Sequence, residues 1–391
     1  MKRCILMLSS YPPGLKNAWK SLGFSVLEDH ESIIELEGTE INKKIEWYKT
    51  TKNIGFVFSF DFSPRVAEAC YRYNIIYISW IVDSPHASLW SKSAGYRTNL
   101  IFDFDYLQWR ELCESGNGQV NYLPLATDVE LFQNIICSDA QKSEAKYSCD
   151  VAFMGNLYDK SPHNMYDQVQ YLPPYIKGYL DSLMKAQRQI WGSNIVHTSI
   201  TDKVWEELRK NIILKLDNAY DERVYEAFVE GMIHKKITQL ERKEVCSYLA
   251  HHFDFALYTG SDTSFDERII NRGYIDYVSQ MPLVFYYSKI NINITLHSIS
   301  TGIPLRVLDI MACGGFCLTN YQEEIATYFE DGVELVMYSD FEDMYHKIEY
   351  YLEHEEERKA IAQAGYEKVK SQFDYIYGVE KIVSEIDEYC R

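Results

Sequence analysis

The stretch Gly302-Ile-Pro-Leu-Arg306-Val-Leu-Asp309-Ile-Met-Ala-Cys-Gly314-Gly315-Phe-Cys-Leu-Thr319-Asn320 decides the fold of this chain. It predicts a loop, a helix, a glycine stop and a buried strand, since Pro304 suits a first helical turn and Gly314–Gly315 can end the helix. Arg306 in the first turn opposes the helix dipole, so an anionic partner is expected beside it. Because Asp309 shares the same helix face, an ion pair between the two is one explanation. The other is that Arg306 and free helix N–H groups bind a diphosphate while Asp309 accepts hydrogen bonds from sugar hydroxyls. These residues alone support both explanations equally.

The run from Ser288 to Asn320 resembles the donor-binding segment of group 1 glycosyltransferases with the GT-B fold. Within that group it is most similar to the CgeB-like, spore-maturation-type family, which is related to glycosyltransferase family 4. ISWIVDSPH at 78–86 and VAFMGNLY at 151–158 extend the resemblance more weakly. In this family the acidic residue just before the sequence MACG binds the nucleotide ribose, and the matching residue here is Asp309. Many family 4 relatives carry a second glutamate near the transferred sugar, and this chain has Thr301 at that position.

The order of apolar runs predicts α/β domains with parallel sheets. Short apolar runs alternate with helical patterns over residues 1–125, and the alternation resumes at Cys149. This spacing is typical of parallel strands joined by crossover helices. With the resemblance, it implies the GT-B architecture of two Rossmann-like, doubly wound domains that face a cleft. The expected segments are an acceptor domain at 1–127, a linker at 128–148, a donor domain at 149–371 with a helical insertion at about 165–250, and a last helix at about 372–391 that crosses back to the first domain.

Composition argues against several classes of protein. A chain of 391 residues is longer than one core usually fills, which fits two domains. The net charge of −18 argues against nucleic acid as the partner, because such binding depends on basic residues that contact phosphates. No run of about eighteen apolar residues occurs, so no membrane span is expected. The nine cysteines are scattered and no signal peptide is recognised, so reduced thiols and a cytoplasmic location are expected.

Asp83 and His86 are the candidates for chemistry on the acceptor. They follow the predicted strand IIYISW, and ligands of doubly wound sheets bind at the carboxyl ends of strands. Either side chain is able to orient or deprotonate an acceptor hydroxyl, and the resemblance places this loop in the cleft. The alternative is that Asp83 and Ser84 are simply turn formers before Pro85.

Two further strand ends supply candidates for the donor site. Gly155 and Asn156 follow the apolar run CDVAFM, where a glycine lets backbone N–H groups approach a phosphate or sugar. A plain tight turn is the alternative there. Lys289, Asn293 and His297 lie around the strand that precedes the deciding stretch, where Lys289 could neutralise a diphosphate and His297 could point at it. The alternative is that Lys289 is a surface cation and that His297 is a polar side chain whose hydrogen bonds are made within the protein.

Four small residues complete the predicted donor site. Thr301 and Gly302 are expected to line the donor pocket. Gly314 and Gly315 are expected to admit close backbone approach at the end of the helix.

Asp103-Phe104-Asp105 gives a competing signal for a metal. This Asp-x-Asp pattern is the one with which GT-A glycosyltransferases hold a nucleotide diphosphate through a divalent ion. The simpler interpretation is that Asp105 caps the helix beginning near Tyr106, so no metal is predicted. Motifs of dehydrogenases, P-loop kinases, zinc proteases and serine hydrolases do not occur in the sequence.

These features predict a glycosyltransferase that moves a sugar from a nucleotide-diphosphate sugar to a glycan, protein, lipid or small-molecule acceptor. No cofactor or metal is expected to be required, because Arg306, Lys289 and backbone N–H groups would stabilise the leaving diphosphate. The resemblance also implies retention of the anomeric configuration, although Thr301 departs from the usual pair of glutamates. Two alternatives stay open. One is a non-catalytic GT-B protein that binds nucleotide or a partner transferase, and the other is a nucleotide-sugar epimerase.

Overall fold

The structure, a computed structural model, divides into two compact units. Unit 1 comprises Met1–Asp128, Lys215–Phe228 and Phe373–Arg391, and unit 2 comprises Val129–Leu214 and Val229–Gln372. The described residues are 3–9, 11–29, 36–116, 120–160, 164–169, 171–190, 193–214 and 222–389.

A six-stranded parallel sheet forms the centre of unit 1. Its strands are β1 (Cys4–Leu8), β2 (Ser25–Asp29), β3 (Phe56–Phe60), β4 (Ile76–Trp80), β5 (Asn99–Asp103) and β6 (Val120–Tyr122). They pair in the order β2-β1-β3-β4-β5-β6, and every pair is parallel. β4 and β5 are buried along their whole length. This burial explains why both strands are mostly apolar and do not alternate regularly with polar residues, although Ser79, Asn99 and Asp103 are buried within them.

A second six-stranded parallel sheet forms the centre of unit 2. Its strands are β7 (Cys149–Met154), β8 (Phe255–Tyr258), β9 (Ile270–Asn271), β10 (Ser288–Asn293), β11 (Cys317–Asn320) and β12 (Val336–Tyr338). They pair in the order β12-β11-β10-β7-β8-β9, again all parallel. The chain order reverses between β10 and β7, and in open α/β sheets such a switch point is where ligands bind.

Helices follow or separate most of the strands, as parallel crossovers require. In chain order they are α1 (Pro13–Ser21), α2 (Gly38–Trp47), α3 (Pro64–Arg72), α4 (Tyr106–Glu114), α5 (Val129–Asp139), α6 (Glu144–Tyr147), α7 (Pro174–Gln187), α8 (Ile195–Ser199), α9 (Asp202–Asn211), α10 (Glu222–His252), α11 (Met281–Tyr287), α12 (Leu305–Ala312), α13 (Glu323–Tyr328), α14 (Phe341–Glu353), α15 (Glu355–Gln372) and α16 (Tyr375–Tyr389). Within the described part of the chain, none of these helices combines the length and the apolar character needed to cross a membrane.

The predicted α/β class with parallel sheets is confirmed. β7 has the predicted bounds, whereas β9 escaped prediction because two residues are too few to show a pattern. The segment predicted as a linker, 128–148, contains the helices α5 and α6. Val129, Phe132 and Ile136 of α5 are buried, so this segment contributes an apolar face to unit 2.

The helix α16 packs closely on the first sheet within unit 1. Trp80 at the end of β4 is 1% exposed, and its ring meets the Tyr375 ring edge-on at 6.3 Å. Gly378 lies one turn after Tyr375, and a Cβ atom added there would overlap the Trp80 ring. The absence of a side chain at Gly378 therefore lets α16 lie against β4.

We expect Gly378→Ala to lower the free energy of unfolding by about 1–3 kcal/mol, because the added methyl must displace a rigid buried indole. Chemical denaturation followed by circular dichroism measures this change. Gly178 in α7 is a matched control, since a Cβ there meets nothing within 4 Å. Gly178→Ala should leave stability unchanged or raise it by up to about 1 kcal/mol. Equal effects of the two substitutions would contradict the packing described for α16.

Candidate functional site

A pocket of about 440 Å³ lies in unit 2 at the carboxyl ends of β7 and β8. These strand ends are next to the switch point of the sheet, where a ligand site is expected. The residues that line the pocket are Met154, Gly155, Asn156, Asp159, Lys160, Tyr258, Thr259, Gly260, Ser261, Tyr274, Ile275, Tyr277 and Arg306.

Arg306 brings a partly buried positive charge to this pocket. It lies in the first turn of α12, as predicted, and its Nη1 donates to Oδ1 of Asn293 at 3.3 Å. Its guanidinium carbon lies 5.4 Å from the centre of the Phe153 ring, and its Nε has no hydrogen-bond partner in the described residues. Burial, together with the positive charge of Arg242, lowers the pKa of Arg306 to about 10.

Arg242, on α10, is a second buried guanidinium that the sequence analysis missed. It is 2% exposed, and its two terminal nitrogens donate to the backbone carbonyls of Asn156 and Ile294, both at 2.6 Å. Its guanidinium carbon lies 5.3 Å from the centre of the Phe153 ring and 5.1 Å from that of Tyr158. Its Nε also has no hydrogen-bond partner among the described residues.

The two guanidinium groups share the Phe153 ring, and neither is ion-paired with a carboxylate of the described residues. Within the described part of the chain, neither Arg306 nor Arg242 forms an ion pair with an acidic side chain. The local alternative of an Arg306–Asp309 ion pair is therefore not observed. Desolvated charges normally have a partner, because removing a charge from water costs several kcal/mol. The arrangement fits a site whose counter-ion is an anionic ligand.

Asp309 is held by a tyrosine. The Tyr277 hydroxyl donates to Oδ2 of Asp309 at 3.0 Å, and the Tyr277 ring meets Phe132 edge-on at 6.0 Å. Asp309 is only 2% exposed and does not line the pocket, whereas Tyr277 is 37% exposed and does. Tyr277 therefore separates the Asp309 carboxylate from the pocket in this structure.

Gly155 and Asn156 lie in the pocket wall, at the predicted strand end. A Cβ atom at Gly155 would lie 2.9 Å from Nη2 of Arg306, so the glycine leaves room for the guanidinium. The carbonyl of Asn156 holds Arg242, and its side-chain Oδ1 accepts from the backbone N–H of Tyr158 at 2.6 Å. Both residues therefore shape the space around the two arginines.

The two predicted site residues on β10 lie at opposite ends of the strand. Asn293 is fully buried at the carboxyl end, where it binds Arg306 and donates to Thr319 Oγ1 at 2.9 Å. Lys289 lies at the opposite, amino end of β10, where its Nζ pairs with Asp150 at 2.7 Å and its side chain is 50% exposed. A parallel strand carries ligands at its carboxyl end, so the structure does not bring Lys289 to the site.

Thr301, Gly302 and His297 do not line the 440 Å³ pocket. Thr301 is 2% exposed, and its hydroxyl donates to Oε1 of Glu324 at 2.8 Å. His297 is buried, with Nε2 at 2.8 Å from Glu241 Oε2, and it lines a separate cavity of about 20 Å³. These three predicted donor residues are thus buried and lie outside the pocket lining.

Gly314 and Gly315 have structural roles at the far end of α12. Gly314 has a φ of 72°, which suits the residue that follows a helix end. A Cβ atom at Gly315 would lie 2.5 Å from the Phe285 carbonyl oxygen. The prediction that they end the helix is confirmed, but they do not line the pocket.

Asp83 and His86 of unit 1 lie at the carboxyl end of β4 and share a third residue, Asp61. Asp61 Oδ1 accepts from the backbone N–H groups of Val82 at 2.9 Å and Asp83 at 3.3 Å, and lies 3.7 Å from His86 Nδ1. Burial raises the pKa of the Asp61 carboxyl above its usual range; His86 opposes this rise and Asp83 adds to it. Perturbed carboxyls beside a histidine are common in functional sites.

Asp103 and Asp105 are fully buried and bonded to protein groups. Asp103 Oδ2 accepts from Gln108 at 2.7 Å, and Asp105 Oδ2 accepts from the Ser84 hydroxyl at 2.8 Å. Asp105 is the N-cap residue of α4, as predicted, but its side chain bonds the Ser84 hydroxyl and makes no capping hydrogen bond. No cluster of potential metal ligands is found among the described residues.

Comparisons with known proteins agree with this architecture. At 11% identity the chain is similar to the HepE protein of Anabaena, solved with UDP-glucose, over 98% of this chain and 99% of that one, with a TM-score of 0.51. Sucrose-phosphate synthase from Thermosynechococcus elongatus gives 11% identity, 99% and 98% coverage and a TM-score of 0.53. A glycosyltransferase from Rickettsia africae gives 11% identity over 99% of this chain and 98% of that one, with a TM-score of 0.50. The fold is therefore GT-B, as the resemblance implied.

The sequence itself matches one family model. Residues 239–384 match the model described as glycosyl transferase-like. This range contains Arg242, Arg306 and Asp309. Comparison with curated proteins finds no similar sequence.

Three important residues were missed from the sequence, namely Arg242, Tyr277 and Asp61. One signal for Arg242 is visible in hindsight, because His234, Thr238 and Arg242 recur every fourth residue on α10 and all three are buried. Polar residues at helical spacing on a buried face indicate a polar interior. Tyr277 and Asp61 lie in loops that give no periodic signal.

His234 supplies a test of this buried polar stripe. Both ring nitrogens lack a hydrogen-bond partner among the described residues, and burial, with His297, lowers the pKa of His234 to about 3 against the opposing effect of Glu230. The unfolded chain takes up this proton near pH 6.5, whereas the folded chain does so only near pH 3. Stability from neutral His234 is therefore complete above about pH 6.5 and is lost progressively as the pH falls towards 3.

Below pH 6.5 the unfolding free energy of the unsubstituted protein should fall as the pH falls. We expect His234→Leu to reduce the slope of this fall by up to about 1.4 kcal/mol per pH unit. Urea denaturation between pH 7 and pH 5 measures this slope. His346→Gln removes an exposed histidine, with a side chain 65% exposed, and should leave the slope unchanged. If His234→Leu gave the wild-type slope, His234 would not be buried in its neutral form.

Proposed function

We propose that the protein is a glycosyltransferase that binds a nucleoside-diphosphate sugar in the pocket of unit 2. The observation that carries this proposal is the pair of guanidinium groups at Arg306 and Arg242, which lack a carboxylate partner in the described chain. A diphosphate supplies the missing negative charge, and guanidinium groups suit phosphate oxygens because their donors are fixed in one plane. The family match over 239–384 supports the same interpretation.

The same two arginines favour departure of the nucleoside diphosphate. Charge develops on the leaving diphosphate as the glycosidic bond breaks, and preorganised donors in a partly desolvated site stabilise that charge. Arg306 is already fixed by Asn293, and Arg242 by two backbone carbonyls, so little reorganisation is needed. Transfer without a divalent metal ion is therefore part of the proposal.

The nucleoside half of the donor is assigned to the part of the pocket near Asp309 and Tyr277. Asp309 lies one helical turn from Arg306 on α12, which suits a ribose next to a bound diphosphate. HepE was solved with UDP-glucose, which supports a sugar nucleotide as the ligand class. The CgeB-like branch, the relation to family 4, the cytoplasmic location and retention of configuration are proposals that follow from the resemblance.

Unit 1 is assigned to the acceptor. Asp83 is exposed at the end of β4, with the Asp61 carboxyl held beside it by backbone N–H groups. Burial raises the pKa of the Asp61 carboxyl, and the His86 imidazole lies 3.7 Å from it, so this group of side chains is assigned to orienting and deprotonating an acceptor hydroxyl.

We expect Arg306→Gln to weaken binding of nucleoside diphosphates by about 10- to 100-fold, because charge-assisted hydrogen bonds contribute about 1.5–3 kcal/mol. Its melting temperature without ligand should not fall, since the substitution also removes a desolvated charge that Arg242 repels. Thermal shift with UDP, GDP, ADP and CDP, with and without Mg²⁺, measures both effects, because a ligand of the folded state raises the melting temperature.

Arg268→Gln is the matched control, since Arg268 is exposed and does not line the pocket. It should keep the wild-type shift. Equal ligand shifts in wild type and Arg306→Gln would show that the diphosphate is not bound here. A shift that requires Mg²⁺ would contradict metal independence.

We expect Asp83→Asn to lower turnover at least tenfold while donor affinity stays within twofold, because general-base catalysis contributes about a hundredfold or more. The assay is release of nucleoside diphosphate from the sugar nucleotide, with water or added sugars as acceptor. Loss of donor affinity in Asp83→Asn would instead assign this loop to donor binding. Donor binding by the wild type with no release under any condition would favour the non-catalytic alternative.

A further inference from the structure

The Asp309 carboxylate is not presented to the pocket, although the resemblance assigns it to the ribose. Asp309 is 2% exposed and lies outside the pocket lining, and its Oδ2 accepts the Tyr277 hydroxyl at 3.0 Å. Tyr277 is 37% exposed and lines the pocket. A ligand in this pocket meets Tyr277 first.

We propose that the Tyr277 hydroxyl, held by Asp309, is the group that hydrogen-bonds the ribose of the bound nucleotide. The inference rests on the proposed function, because it assigns one contact of the same ligand. Asp309 then acts through Tyr277 and is a positioning residue.

The donor and acceptor atoms of the Tyr277 hydroxyl determine which ligand groups it can bond. A phenol has one O–H donor and can also accept at its oxygen, whereas an ionised carboxylate can only accept. Asp309 accepts the Tyr277 hydrogen, so the phenol oxygen can meet a ligand group only as an acceptor. It can bond a ribose hydroxyl, which donates, and gains nothing from a deoxyribose carbon at the same place. The negative charge of Asp309 also polarises the phenol and strengthens its oxygen as an acceptor.

Two contacts keep the Tyr277 oxygen in place. Its ring packs edge-on against Phe132 at 6.0 Å, and its hydroxyl is fixed by Asp309. On α12, Asp309 follows Arg306 by three residues, a rise of about 4.5 Å. Arg306 and Tyr277 both line the pocket of about 440 Å³, so one nucleotide can contact both.

The test compares ribose with deoxyribose at a fixed base and diphosphate. The probe is whichever of UDP, GDP, ADP and CDP gives the largest thermal shift, together with its 2′-deoxy and 3′-deoxy forms, with dissociation constants from calorimetry. For wild type we expect one of the deoxy forms to bind about five- to tenfold more weakly than the ribonucleotide, the size of one hydrogen bond.

Tyr277→Phe is the decisive variant, because it keeps the ring against Phe132 and removes only the hydroxyl. We expect ribonucleotide affinity to fall to that of the deoxy form, while deoxy affinity stays within twofold. A purely structural role for Tyr277 would change both affinities together, so the ratio separates the two roles. Direct recognition by Asp309 would leave the ribose preference intact or increase it in Tyr277→Phe, and either result would overturn the proposal.

Asp309→Asn and Tyr286→Phe complete the set. The asparagine keeps an oxygen that can accept from Tyr277, so part of the ribose preference should remain. If Asp309→Asn abolished the preference for ribose and Tyr277→Phe kept it in full, the ribose contact would belong to the Asp309 carboxylate. Tyr286 is exposed on α11 outside the pocket lining, and Tyr286→Phe should keep the wild-type ratio. If no diphosphate binds the wild type, the proposed function fails and this inference fails with it. Binding without ribose preference overturns this inference alone.

Discussion

The stacking of Arg242 and Arg306 on Phe153 is the interaction on which the site depends. Their guanidinium carbons lie 5.3 and 5.4 Å from the centre of one ring, and the positive charge of Arg242 lowers the pKa of Arg306. The ring attracts each cation, but such an interaction contributes only about 0.5–2 kcal/mol and does not cancel the repulsion between two desolvated charges. The remaining cost is offset when an anion binds. The elements around the pair fit this purpose, since Asn293 and the carbonyl of Asn156 hold the guanidinium groups at a glycine-bearing strand end.

The fold was largely predictable because most of its central strands are buried. A fully buried parallel strand such as β4 is mostly apolar, so it is recognised without tertiary information. Pattern also placed Arg306 in a helical first turn and Gly155 at a strand end. The structure does not bring Lys289 to the pocket, because residues near in sequence lie apart along an extended strand. The six residues of β10 carry Lys289 and Asn293 to opposite ends of the strand.

The remaining site residues could not be derived because they come from segments distant in sequence. Arg242 comes from the long helix α10 and bonds the carbonyl of Asn156 in the pocket wall, and Tyr277 comes from a loop before α11. Position 301 illustrates the same limit. The expected glutamate is replaced by Thr301, yet the structure places the Glu324 carboxylate at 2.8 Å from the Thr301 hydroxyl. The local motif shows only that position 301 lacks a carboxylate. The fold is needed to show that the Glu324 carboxylate lies beside Thr301.

The acidic composition and the basic pocket are compatible because they act over different distances. The net charge of −18 is spread over the whole chain, and at physiological salt charges more than about 8 Å apart are largely screened. A small anion inside the pocket therefore responds mainly to the charges in and beside the pocket, among which the partly buried Arg306 and the buried Arg242 are only weakly screened. An extended polyanion would lie along the outer surface, where acidic residues repel it at every step. The same charge distribution thus admits a nucleoside diphosphate and disfavours nucleic acid, so pocket affinity depends on two buried side chains and not on the overall charge of the protein.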